Sequence, residues 1–166
     1  MTVTAVRKDA NALTMTLTAE FDATPERVWQ LWADPRQLER WWGPPTYPAT
    51  FTKHSLTPGS RTEYYMTGPE GDTPKGYWTI VEVEPPTHIR ALDGFANDDG
   101  SDNNDMPGPG EMDVRIEPIG GGRTRMSIES LFPSPEAMEQ ILAMGMEEGL
   151  KQAVGQIDAI LAEVPV

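Results

Sequence analysis

Between residues 12 and 22 apolar and polar side chains alternate without a break. Leu13, Met15, Leu17, Ala19 and Phe21 fall on one face, and Thr14, Thr16, Thr18 and Glu20 on the other. Alternation of that length predicts a half-buried strand. The pattern stops at Asp22, where Thr24 is placed to cap a helix whose first residue is Pro25. That helix runs through Val28, Trp29, Leu31 and Trp32. Asp34 and Pro35 then repeat the device, opening a second short helix through Leu38, Trp41 and Trp42 that Gly43-Pro44-Pro45 ends. From about residue 48 to residue 131 the chain reads as strands, with turns at Pro58-Gly59, Gly68-Pro69-Glu70-Gly71, Pro85-Pro86 and Gly120-Gly121-Gly122. The last hairpin is the clearest. Met112, Val114 and Ile116 on one arm, and Met126 and Ile128 on the other, share an inward face, with opposite charges between them on the outer face. Such cross-strand pairs contribute roughly 0.2–1 kcal/mol each.

Ser134-Pro135-Glu136 opens a final helix in the same cap-then-proline way. Its apolar residues, Met138, Leu142, Met146, Leu150, Ala153, Ile157, Leu161 and Val164, step by three or four. A helix of that extent is a rod of roughly 40 Å. Gly145, Gly149 and Gly155 interrupt it, each costing about 1 kcal/mol relative to alanine. That cost predicts a bend, a close strand contact or room left for a ligand. Asn97–Gly110 has no periodicity and is rich in Asp, Asn, Gly and Pro. With strands on both sides it is expected to be a long mobile loop rather than a linker between domains. The order of elements predicts one α+β domain over residues 1–166, with its core in 12–163.

Charge narrows the partners. Thirteen basic residues stand against 26 acidic ones, a formal net charge of −13. That surplus repels phosphate backbones and anionic lipid, so neither nucleic acid nor a membrane is an expected partner. The absence of cysteine excludes disulfides and thiolate chemistry. The N-terminus lacks the apolar core of a signal peptide and no segment reaches spanning length, which predicts a cytoplasmic protein. His54 and His88 have no metal-ligand spacing around them, and the acidic loop 98–105 satisfies no register of the calcium-loop pattern. No metal, cofactor or catalytic residue is therefore assigned. Trp29, Trp32, Trp41, Trp42 and Trp78, with nine methionines, supply aromatic and thioether surface for a core and, as a set, for an adaptable pocket. Arg90 lies in a strand whose parity does not say which way it faces.

The run FDATPERVWQLWADPRQLERWWGPPTYPATF resembles the opening of the SRPBCC (START-like) superfamily, in its branch of homologues of the activator of the heat-shock chaperone ATPase. The residues that carry the likeness are Ala23–Trp29, Trp41-Trp42-Gly43-Pro44, Pro58–Arg61, Met66–Gly71, Val81–Pro86 and Gly122–Met126. Gly149-Leu150 departs from the Gly-Trp common in relatives, and the Asn97–Gly110 loop is longer than usual. The resemblance implies a helix-grip fold: strand, two helices, six strands and a long helix, with a cavity between the curved antiparallel sheet and that helix. On this basis Trp42, Tyr64, Met66, Trp78, Met112, Met126, Met146, Gly149 and Leu150 are expected to bind a small hydrophobic molecule, without chemistry. A cyclase or hydrolase would need inward Tyr64, Tyr65, Arg90 or Glu129. A chaperone-interacting domain is the third reading, and a homodimer is left open.

Overall fold

The computed structural model describes residues 3–163; Val164 of the apolar stripe lies outside them. The chain begins with two strands, β1 (Val3–Asp9) and β2 (Thr14–Phe21), followed by α1 (Pro25–Ala33) and α2 (Pro35–Leu38). Six strands come next: β3 (Ala49–Lys53), β4 (Arg61–Met66), β5 (Lys75–Glu84), β6 (His88–Ala96), β7 (Gly110–Gly120) and β8 (Arg123–Leu131). The C-terminal helical region runs as α3 (Pro135–Ala143), α4 (Met146–Val154) and α5 (Ile157–Leu161). This is the helix-grip order with one additional strand, β1. The strand was not expected because a register slip between Val3 and Ala5 breaks its alternation, and Arg7, Lys8 and Asp9 are exposed.

The eight strands form one antiparallel sheet in the order β1-β2-β8-β7-β6-β5-β4-β3. Pairing of β2 with β8 brings the first and last parts of the strand run together. Register slips at Phe51/Lys53, Ile80/Glu82 and Pro118/Gly120 insert extra residues, and extra residues bend strands and increase their twist. The resulting concave face carries Met15, Leu17, Ala19 and Phe21 from β2, Met112, Val114 and Ile116 from β7, and Met126 and Ile128 from β8, all buried.

The helix starts form as the sequence predicts. Thr24 Oγ1 accepts from Arg27 N at 3.3 Å, Asp34 Oδ1 from Arg36 N at 2.9 Å and Ser134 Oγ from Ala137 N at 3.0 Å. Each cap satisfies an amide that the first helical turn leaves orphaned. The C-terminal helix, by contrast, is no straight rod. Gly145 takes φ +90, which an L side chain rarely adopts, and so ends α3 and starts α4. A second break follows Gly155, where Gln156 Nε2 donates to Gly43 O at 2.7 Å and ties the helix to the Trp-Trp-Gly-Pro turn. Through both breaks the stripe still faces inward: Met138, Ala153 and Ile157 are buried, and Leu142, Met146, Leu150 and Leu161 partly so.

Residues 97–109 connect β6 to β7 and are held by polar ties. Ala96 bridges Asp102, Asn97 N donates to Ser101 O at 2.8 Å, and Arg61 reaches Asp102 at 2.9 Å and Gly100 O at 2.7 Å. The same Arg61 guanidinium stacks over Tyr77 at 3.9 Å. No helix among the described residues is long and apolar enough to cross a membrane.

Candidate functional site

Alternation on β4, β6, β7 and β8 sends one set of side chains toward α4, and between the two lies a cavity of two adjoining lobes. The smaller lobe, about 200 Å³, is walled on the sheet side by Tyr64, Met66, Met112 and Ile128 and on the helix side by Met146, Gly149, Leu150 and Ala153, with Trp42 closing one end. The larger lobe, about 310 Å³, extends past Phe95 and Phe132 to the α3–α4 junction at Ile141, Met144 and Gly145. Tyr64, Met66, Asp93, Ser130 and Met146 belong to both walls and mark where the lobes meet.

Seven of the nine residues expected at the site line the smaller lobe: Trp42, Tyr64, Met66, Met112, Met146, Gly149 and Leu150. Trp78 and Met126 do not. Trp78 is fully buried with its ring edge-on to Trp42, centroids 4.9 Å apart, so Trp42 stands between it and the space. Met126 is fully buried beneath α1, its sulfur accepting from Trp32 Nε1 at 3.3 Å. Parity on the strands is right for both; they belong to the packed aromatic core, in which Trp32 and Trp41 also meet edge-on at 4.8 Å.

Tyr64 is placed by a glycine. Tyr64 and Gly76 are direct partners across β4 and β5, and a Cβ at Gly76 would stand 2.5 Å from both Cζ and the phenol oxygen. The ring therefore lies flat over the bare backbone. Burial, and secondarily the nearby Asp93, push its phenol pKa up, so it stays protonated as a donor. Gly149 has no heavy atom within 4 Å of where its Cβ would be. Of the two alternatives for this glycine, close approach of a strand and space in the wall, the second is what the geometry contains.

Asp93 is a wall residue that the sequence pattern did not single out. It follows Ile89 and Ala91 on the inward face of β6, so the alternation itself places a carboxyl among apolar side chains. Among the described residues its carboxyl has no hydrogen-bond or ion-pair partner, and burial raises its pKa to about 7. Ser130 brings a hydroxyl to the same junction from β8. Of the other ionisable candidates, Arg90 faces outward and pairs with Glu111 at 3.1 Å, Tyr65 lies 5.9 Å from the Lys75 ammonium, and Glu129 is exposed.

The histidines are structural. His54 bridges β4 and α1: one ring nitrogen lies 2.7 Å from Trp32 O and the other 2.9 Å from Thr62 Oγ1. The carbonyl can only accept, so Nε2 carries the proton, and burial lowers the ring's pKa. His88 sits 3.1 Å from Asp113. Among the described residues no group of three or more histidine or acidic side chains is arranged to hold a metal ion.

Residues 22–162 match the family described as Activator of Hsp90 ATPase homolog 1-like protein. Two solved structures are similar over nearly the whole chain. Protein Ms6760 from Mycobacterium smegmatis is 44% identical, with TM-score 0.89 and 99% of each chain covered. A protein from Arthrobacter aurescens is 49% identical, with TM-score 0.92, covering 98% of this chain and 94% of its own. The AHSA1 protein from Silicibacter pomeroyi shares the fold at 22% identity, with TM-score 0.71 over 90% of this chain and 97% of its own. No curated protein matches the chain.

Proposed function

The chain belongs to the family of Activator of Hsp90 ATPase homolog 1-like proteins, and from that premise we propose that it binds a small, largely apolar molecule in the two-lobed cavity between sheet and α4, without transforming it. The observation that carries this reading is the wall itself. Space of about 200 and 310 Å³ in adjoining lobes is of the size that takes up small-molecule ligands. Three methionines, Met66, Met112 and Met146, line the smaller lobe, and thioethers adapt to irregular apolar shapes. Only a few polar groups converge on the space, enough to orient a ligand, and the outward Arg90, Tyr65 and Glu129 are unavailable to chemistry inside it.

Gly149 supplies the test. A leucine there projects into open space in the wall, so Gly149→Leu fills the smaller lobe and also gains roughly 1 kcal/mol of helix propensity. The variant should melt at or above the wild-type temperature and lose uptake of naphthalene, followed by quenching of tryptophan fluorescence. Wild-type uptake that persists undiminished in the variant would remove the cavity as the binding site. Absence of uptake by the wild type would reject the binding reading itself.

A further inference from the structure

The junction of the two lobes has a chemistry that a purely apolar ligand would not use. Asp93 sits there, one carboxyl in a wall of thioethers, rings and aliphatic carbons, with no hydrogen-bond or ion-pair partner among the described residues. Among the described residues the fully occluded polar side-chain atoms without a partner are the indole nitrogens of Trp42 and Trp78, so the Asp93 oxygens keep some exposure. They therefore open onto the cavity. A carboxyl left in such a place costs the fold free energy unless something completes it.

We propose that the ligand is an apolar molecule carrying one protonated amine, seated so that the amine meets the Asp93 carboxylate where the lobes join. The assignment rests on the binding reading above and adds the class of molecule bound. Three observations carry it. The carboxyl lacks a donor, and an ammonium brings up to three. The aromatic rings of Trp42, Tyr64 and Phe95 belong to the two lobes' walls, and aromatic rings attract cations in desolvated surroundings. The chain's net charge of −13 concentrates cations and repels anions around the molecule as a whole. Folding has already partly desolvated Asp93, which lowers the cost of bringing a cationic head group to it.

The surrounding ionisable groups leave this role to Asp93 alone. From β4 the neighbour is Tyr64, kept neutral by burial; from β5 it is Tyr77, whose phenol is also raised. Lys75 of β5 and Glu111 of β7 share the larger lobe's wall, but their charged ends go to Asp98 and Arg90. From α4 the wall receives Met146, Gly149, Leu150 and Ala153, none of which titrates. Because burial raises the Asp93 carboxyl to about 7, binding a cation must displace a proton below that pH, and affinity for the amine should rise as pH rises through it.

Calorimetric titration with naphthylethylamine, naphthylethanol and naphthylacetate, one aromatic body with three head groups, tests the assignment. At about pH 8 the amine should bind at least tenfold more tightly than the alcohol, with the carboxylate weakest. Lowering the pH to about 6 should weaken the amine about tenfold and leave the alcohol unchanged. Asp93→Asn should bring amine and alcohol to equal affinity. Equal or tighter binding of the alcohol by the wild type overturns the amine assignment, as does an amine preference that survives in Asp93→Asn. Should the variant fail to fold, the head-group order and pH profile of the wild type decide alone. Failure of all three compounds and of naphthalene would instead overturn the binding reading on which the assignment rests.

Discussion

Asp93 is where the residue scale departs furthest from ordinary core design. Its pKa is raised by burial to about 7, from an ordinary carboxyl value of 3.8, so the folded state holds the proton more tightly than the unfolded chain. Stability from this group is therefore complete below about pH 4 and is lost as pH climbs through 7. Asp93→Asn should match wild type near pH 4 and exceed it increasingly above pH 5. A shift of this size corresponds to on the order of 4 kcal/mol above pH 7, less the part that water entering the cavity screens. Urea unfolding of both proteins from pH 4 to 8 measures it, and parallel curves would show that the carboxyl is not desolvated. Gly76 makes the opposite kind of demand, for absent volume. Gly76→Ala drives a methyl into the Tyr64 ring and should cost roughly 1–3 kcal/mol. In a Tyr64→Ala background the same change should cost much less, a non-additivity that a double-mutant cycle in urea would reveal.

At the scale of elements, the two interrupting glycines of the last helical region behave differently under one substitution. Gly145 has φ +90, so alanine there is strained by about 1–2 kcal/mol; Gly149 sits in regular helix with open space around it, so alanine should stabilise by about 0.4–1 kcal/mol. Thermal melts of the two variants should move in opposite directions, and movement in the same direction would mean the helix does not break where described. The sequence made the elements legible wherever one local rule decides. The caps at Thr24, Asp34 and Ser134 and the Gly120–Gly122 turn follow from single side chains or from bare backbone, and each is where the pattern puts it. Seven of the nine residues expected at the site do line the smaller lobe, most of them because parity on a strand or a helix stripe decides them. What escaped depends on neighbours distant in sequence. Whether Trp78 borders the cavity or merely backs Trp42 is set by how four indoles pack, and Arg90's outward course is fixed by Glu111 on another strand. Asp93 was available from alternation alone, but a short run containing Arg90, Leu92 and Gly94 blurs which parity is the apolar one.

The whole molecule is a single open sheet closed around its helices on one face, so its integrity rests on long-range pairings such as β2 with β8, while surface ion pairs such as Lys8 with Glu147 and Arg40 with Glu163 add little. An open sheet also has two unpaired borders. On one side stands β3, five residues long, slipped in register and ending at Lys53; on the other stands β1, also slipped and carrying Arg7, Lys8 and Asp9. Short, kinked, charged borders are poor templates for a further strand from another molecule. Remove residues 1–10 and the border becomes β2, eight residues in unbroken register with β8 and apolar at every second position. The truncated protein should keep most of its core yet form light-scattering aggregates at concentrations where the intact chain stays clear. Of residues 5–10 Val6 alone packs on the core, but their strand decides how crowded a solution of this protein can become before its sheets begin to find one another.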